Sequence, residues 1–397
     1  MTRLMDALLE ELVSEERFLF YRSVCDFGAS EIAPHVLTWE RERCLVPADT
    51  IRAMGELGLF GLTVEERFGG AGGALEDLVL MGLALGYHSQ SVAITPGAAA
   101  SLGTRPLQVY GTLAQKQAYL PDLAAGKTLF AFGLSEPNRG SDAANPEVVA
   151  EKTAKGFSLR GEKCWSTNLA FSSHVIVHAL TNPDGKPGHR TSCFIVPKNH
   201  ENVHCQEMLG KEVWQQSSTG SITFDNAYVP EEALLGELHH GFKVMVTTLN
   251  GGRLFIAALA LSSLSFALDT CRKYARERVQ FDGLPIGRFQ RVQDVLIDMD
   301  IALEQGLLWL FHLVKKYNAG TLDPTEAAKI KIETSRRASA LLVLAMDMCG
   351  GIACLDEFGL ARHQRDLFVC RVGEGSNFVL ASLVARSLLP ELHSLIR

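Results

Sequence analysis

Phe132-Gly-Leu-Ser-Glu-Pro-Asn-Arg-Gly-Ser-Asp142 stands where the hydrophobic period of the chain changes, and the residues on either side of it fix the fold class. Before it, apolar residues recur at three and four, as in Leu4, Leu8, Leu9 and Leu12 and again in Leu78, Leu80, Met81, Leu83 and Leu85, the pattern of helices with a buried face. After it come short β-branched runs, Gly156-Phe-Ser-Leu-Arg160, His174-Val-Ile-Val-His178, Thr191–Val196 and Gly220–Phe224, separated by turn formers such as Asn182-Pro-Asp-Gly-Lys-Pro-Gly188. From Phe242 the helical period returns through Phe242–Tyr274, Arg288–Ala319, Pro324–Met348 and Leu355–Leu389. The chain is therefore expected to be mostly α with a β insert. The expected parts are an N-terminal helical domain (1–127), a central antiparallel β-barrel or sandwich (128–236) and a C-terminal four-helix bundle (237–397).

Composition narrows the function. A chain of 397 residues exceeds the usual size of one hydrophobic core, and 47% hydrophobic with 21% charged residues is ordinary for a folded protein. Thirty-eight Lys and Arg against 45 Asp and Glu leave a net charge of −7, so no global basic field is present to hold nucleic acid. The nine cysteines are scattered without a C-x-x-C pair, which predicts reduced thiols and a cytoplasmic location. The N-terminal residues Met1–Arg17 are acidic and amphipathic rather than a secretory signal. The longest apolar run, Leu254–Leu268, contains Ser262, Ser263 and Ser265 and reads as a buried helix, with no membrane span expected.

Several segments carry candidate chemistry. Gly69-Gly-Ala-Gly-Gly73 follows Phe60–Val64, which could pass for a strand, but its spacing fails the dinucleotide fingerprint and a structural turn is expected. No nucleotide-hydrolysis or zinc motif is found, and no metal site is expected. Around Pro137 and Gly140, small residues and hydroxyls let backbone N–H groups approach a flat polar ring or a phosphate. Lys163-Cys-Trp-Ser-Thr-Asn168 offers an indole to cover a ring face and a hydroxyl to bond its edge. Arg276-Glu-Arg-Val-Gln-Phe281, continued by Phe289-Gln290, supplies guanidinium and amide donors for a pyrophosphate or adenine, or else a solvated helix end. Gly373-Glu-Gly375 sets a carboxylate between glycines in an apolar stretch, where a raised pKa suits a general base.

In this order these segments resemble the acyl-CoA dehydrogenase family, together with Glu31-Ile-Ala-Pro34, Gly58–Val64, Gly111–Gln115, Tyr119-Leu-Pro121, Val229-Pro230, Gly350-Gly351 and Arg365-Asp366. The resemblance covers nearly the whole chain. It implies an FAD-dependent enzyme in which Glu374 removes the α proton of an acyl thioester while the β hydride moves to flavin N5, leaving a 2,3-enoyl thioester. It places Phe132, Leu134 and Ser135 at the flavin ring edge and Ser141 on the flavin or the pantetheine arm, with Trp165 and Thr167 beside the ring. Arg278, Phe281, Gln290, Asp347, Gly350 and Gly351 are implied to reach the FAD of a neighbouring subunit, and Ser376 to lie by the cofactor. Gly373 and Gly375 are implied to border the substrate; Arg253, after Asn250-Gly-Gly, either organises the base or makes an ion pair at a helix start. The implied partners are acyl-CoA, an electron-transferring flavoprotein and copies of the chain in a homotetramer or homodimer.

Three positions depart from the family pattern. Gly373 replaces a bulky aromatic and Ser166 an Ile, which together predict a branched, ring-bearing or otherwise unusual acyl group, or else repacking by a neighbour. Asp347 replaces a Gln and sets an anion where an FAD phosphate is implied. Alternatives at this stage are an acyl group held on a carrier protein, a flavin oxidase or monooxygenase, and a non-catalytic scaffold.

Overall fold

The computed structural model describes residues 4–392; residues 1–3 and 393–397, at the ends of the two outer parts, lie outside the described residues. The N-terminal helices are α1 (Leu4–Leu12), α2 (Glu15–Phe27), α3 (Val36–Arg41), α4 (Ala48–Glu56), α5 (Leu75–Gly86), α6 (Gln90–Ala98), α7 (Arg105–Tyr110) and α8 (Leu113–Ala124). A wider π turn, Ala99–Thr104, joins α6 to α7. Reciprocal bonds between Thr112 and Gln115 start α8. Phe60–Val64 is a run of turns, and the glycine cluster after it is structural. A Cβ on Gly70 would lie 2.2 Å from the Val64 carbonyl oxygen.

The middle of the chain forms one eight-stranded sheet from β1 (Leu129–Gly133), β2 (Val149–Lys152), β3 (Gly156–Thr167), β4 (Ser172–Leu180), β5 (Thr191–Pro197), β6 (Val203–Glu207), β7 (Thr219–Pro230) and β8 (Leu234–Leu235). Its order is β6-β7-β3-β2-β4-β5-β8, antiparallel except where β1 and β2 run parallel to β4. Alternate residues of β3 and β7, such as Phe157, Leu159, Ile222 and Phe224, fill a core of their own.

Helix α9 (Gly241–Glu277) follows, then the hairpin β9 (Val279–Gln280) and β10 (Leu284–Pro285), α10 (Gln290–Asn318), α11 (Pro324–Cys349), α12 (Leu360–Val372) and α13 (Asn377–Leu388). Two helical stretches, Gly241–Glu277 and Pro324–Cys354, are long and apolar enough to cross a membrane by length and composition, although no span was expected. In the first, 83% of the apolar window is buried inside the protein, as the reading of Leu254–Leu268 anticipated. Two of its serines are satisfied internally, Ser262 donating to the Leu259 carbonyl at 2.7 Å and Ser263 pairing with His363 at 2.7 Å, while Ser265 Oγ is buried without a partner among the described residues.

The expectation of one helical stretch from Leu355 to Leu389 is corrected. Short 3₁₀ turns precede α12, and the chain breaks at Gly373–Ser376 before α13, because Glu374 (φ 53°) and Gly375 (φ 87°) both occupy the left-handed region. Arg253 is likewise not at a helix start. Helix α9 begins at Gly241, and the glycines before Arg253 lie inside it.

The packing of α9 depends on bare Cα atoms facing it. A Cβ at Gly97 would lie 2.1 Å from the Phe255 ring, and one at Gly82 would lie 2.6 Å from it. We expect Gly97→Ala to lower stability by about 1–3 kcal/mol in chemical denaturation, with Phe255→Leu in the same chain recovering part of the loss. Equal stability of Gly97→Ala and the parent would contradict this packing.

Candidate functional site

The break between α12 and α13 holds Glu374 by its backbone and leaves its carboxylate without a hydrogen bond to any described residue. Lys331, buried in α11, donates from Nζ to the carbonyls of Arg371 (3.1 Å) and Gly375 (2.8 Å) and to Asn377 Oδ1 (3.0 Å). Arg253 donates from Nε to the Glu374 carbonyl at 3.3 Å and from Nη1 to Asn250 Oδ1 at 2.9 Å. The Glu374 carboxylate lies against Gly252, where a Cβ would be 2.7 Å from its carboxyl carbon, and Oε2 is sealed from solvent without a partner. Burial pushes its pKa from 4.5 up to about 7, opposed by the charges of Arg253 and Lys331. Burial also lowers Lys331 to about 8. A carboxylate near neutrality with free lone pairs is suited to accept a proton.

Gly373 (φ −68°) needs no special backbone conformation, and a Cβ there would meet only Val369 within 4 Å, its carbonyl oxygen being 3.2 Å away. Ser376 caps α13, accepting from the Val379 N–H at 3.4 Å.

A second group forms where β1 ends beside β3. Cys164 donates its N–H to the Ser135 carbonyl at 2.9 Å, and Lys163 Nζ donates to the Leu134 carbonyl (3.0 Å) and Glu136 Oε1 (2.7 Å). Lys163 and Glu136 are fully buried, and the Glu136 carboxylate also accepts the N–H groups of Glu147 and Val148. This pair locks Leu134 and Ser135 beside the Trp165 segment. Phe132 lies inside β1 with its side chain in the core, while Ser141 is exposed in the loop beyond.

The β3–β7 register slips between Lys163 and Ser166, so Trp165, at φ 59°, turns out of the ladder and is 63% exposed. Thr167 remains paired with Thr219. Asn168 donates from Nδ2 to the Thr95 carbonyl at 2.9 Å, tying the end of β3 to α6. Three atoms there, Thr95 Oγ1, Ser166 Oγ and Asn168 Oδ1, are buried without partners among the described residues.

Arg278, Phe281, Gln290, Asp347, Gly350 and Gly351 belong elsewhere in the chain. Arg278 ends α9, Phe281 projects from the hairpin at 70% exposure, and Gln290 begins α10. Asp347, Gly350 and Gly351 are exposed at the end of α11, sixteen residues and about 24 Å along the helix from Lys331. The structure thus joins Leu134 and Ser135 to Trp165, and Arg253 to Glu374. It does not bring the third group to either. Sequence reasoning missed Glu136, Lys163, Gly252 and Lys331 as contributors. A Lys within the apolar α11 pattern was the available signal for one of them.

The residues fit a flavin. An open indole face stands beside Thr167, and the three orphaned polar atoms nearby call for partners from outside the chain. Three family models match in succession: acyl-CoA dehydrogenase N-terminal domain over residues 14–127, middle domain over 131–227 and C-terminal domain over 239–389. A probable acyl-CoA dehydrogenase of Bacillus subtilis, YngJ, is 36% identical over 381 residues, spanning 95% of this chain and 99% of that protein. Butyryl-CoA dehydrogenase from Megasphaera elsdenii is similar in structure, with a TM-score of 0.90 and 31% identity over 95% of this chain and 99% of that one. Glutaryl-CoA dehydrogenase from Mycobacterium smegmatis in complex with FADH2 has a TM-score of 0.89 and 25% identity, with 96% of each chain covered.

The Gly252 contact is testable by itself. Gly252→Ala forces the Glu374 carboxylate aside, and we expect kcat to fall by about tenfold or more, because small displacements at a reacting group are costly. A kcat within twofold of the parent would show that the carboxylate does not depend on this contact.

Proposed function

Since the chain belongs to the acyl-CoA dehydrogenase family, we propose that it is an FAD-dependent oxidoreductase that converts an acyl-CoA to its 2,3-enoyl thioester with Glu374 as the base. The observation that carries this reading is the Glu374 carboxylate, free of hydrogen bonds and raised to about 7, on a loop fixed through its backbone by Arg253 and Lys331. When bound, FAD supplies the two-electron acceptor for the hydride leaving the β carbon. Glu374 takes the α proton and is set for it in advance, since neither Arg253 nor Lys331 neutralises it by direct contact. Leu134, Ser135, Trp165 and Thr167 line the side that holds the flavin ring, positioned by the buried Lys163–Glu136 pair.

The exposed Arg278, Phe281, Gln290, Asp347, Gly350 and Gly351 serve the cofactor of a second copy, in a homotetramer or homodimer. The distance of Asp347, Gly350 and Gly351 along α11 from Lys331, which holds the Glu374 loop, supports this assignment. Asp347 sits poorly beside a phosphate, so Arg278 is the stronger contact. A cytoplasmic setting suits the nine free thiols, and an electron-transferring flavoprotein is the proposed acceptor of the electrons. The open space at Gly373 favours a branched or ring-bearing acyl group.

The test is anaerobic bleaching of the flavin by a panel of acyl-CoA thioesters; a colourless protein that takes up no FAD refutes the reading. Glu374→Gln is expected to retain flavin and lose about 10²–10⁴ in bleaching rate. Because only the carboxylate accepts a proton, the parent rate should fall about tenfold per pH unit below about 7 and level off above it. A rate flat from pH 5 to 8 contradicts that role. Gly373→Tyr should slow bulky thioesters at least tenfold more than straight-chain ones; equal slowing removes the argument from space.

A further inference from the structure

A cavity of about 240 Å³ lies between α5, the π turn, α9 and the end of α10, and an arginine in its wall has no counter-charge among the described residues. Ser101, Arg105, Thr248, Gly251, Tyr317 and Asn318 line this cavity. The Arg105 guanidinium forms no hydrogen bond or ion pair with any described residue, and its Nε is buried without a partner. Its guanidinium lies 6.0 Å from the centroid of the Tyr317 ring. The Tyr317 hydroxyl has no hydrogen-bond partner among the described residues and sits against Gly251, whose Cβ would be 3.1 Å from it. By contrast, the Ser101 and Thr248 hydroxyls are satisfied by the carbonyls of Gly97 (2.8 Å) and Val244 (2.7 Å). Two donors, one of them permanently charged, are thus left free in one cavity.

The cavity neighbours the Glu374 loop. Thr248 and Gly252 are four residues apart, so they lie on one stripe of α9, about 6 Å from each other along the axis. Gly252 touches the Glu374 carboxylate and Thr248 faces the cavity.

We propose that Arg105, with the Tyr317 hydroxyl, binds an anionic oxygen group of the thioester substrate. This rests on the acyl-thioester reading above and names the substrate chemistry that the reading leaves open. A carboxylate at the far end of the acyl group and a phosphate of its thiol carrier share that chemistry, and both match the fork of a guanidinium. A purely hydrocarbon acyl chain gives this cation no counter-charge.

The test is calorimetric titration of the FAD-loaded protein with non-reactive thioether analogues, so that binding is read without turnover. The acyl groups are about four to six carbons long, with either a terminal carboxylate or a terminal methyl, each on CoA and on phosphate-free N-acetylcysteamine. Arg105→Met should weaken binding of the carboxylate analogues at least tenfold on both carriers and leave the methyl analogues within twofold. Arg105→Lys should recover part of the loss. A loss seen with every CoA analogue and absent on N-acetylcysteamine assigns the anion to a carrier phosphate. A change below twofold throughout, or an equal loss for all four ligands, overturns the proposal. Parent protein that binds the carboxylate analogue through Arg105 but is bleached by no thioester refutes the dehydrogenase reading and leaves the anion site standing.

Discussion

Helix α9 has no solvent-facing side from Gly251 to Ser265, every residue there being buried, and the rest of the structure is arranged around that fact. A helix buried all round needs neighbours on every side, and here α5, α6, α10, α11 and α12 supply them. They come close because the contact points lack side chains. Gly82 and Gly97 accommodate Phe255, Gly86 accommodates Ser262, and Gly306 accommodates Leu261. The same packing carries the site, since Gly252 and Arg253 are set by the seating of α9, and the Glu374 loop is then built against them.

That loop shows how a reactive group is held without being quenched. Arg253 and Lys331 bring two cations close to Glu374, yet both hydrogen-bond to main-chain carbonyls and to Asn side chains. Their fields lower the carboxyl pKa, and burial outweighs them. The arrangement has a thermodynamic consequence. Between the ordinary 4.5 and about 7, the folded chain keeps a proton that the unfolded chain releases. Glu374 therefore contributes stability fully at low pH, and that contribution is lost as pH rises through this window. The site becomes able to accept a proton over the same range in which it costs the fold most.

Much of this was legible from periodicity. The change from helical to alternating pattern near Phe132, and back after His240, follows directly from which faces of helices and strands are buried. The break at Gly373–Ser376 was not legible in that pattern, because the apolar spacing of α12 continues into α13 while the left-handed conformations of Glu374 and Gly375 interrupt the helix. Asn250-Gly-Gly before Arg253 looked like punctuation, yet those glycines serve close approach inside a helix. The Lys163–Glu136 pair joins residues 27 apart through a sheet, and no local pattern encodes such a contact. Glu374 was legible as a site because glycines flank a carboxylate in an apolar run; its lack of a partner was visible only in three dimensions.

The unsatisfied groups matter more because the chain as a whole is acidic. With a net charge of −7, an anionic ligand gains nothing from the overall field and depends on individual donors. Arg253 and Lys331 are already committed to the Glu374 loop, and Lys163 to Glu136. Arg105 is not committed, and its cavity lies one helical turn from the carboxylate that takes the proton. Its guanidinium, beside the Tyr317 ring and without a charged partner among the described residues, is left for a counter-charge from outside the chain. The same reasoning applies to Thr95, Ser166 and Asn168 near Trp165, whose buried oxygens have no partner among the described residues.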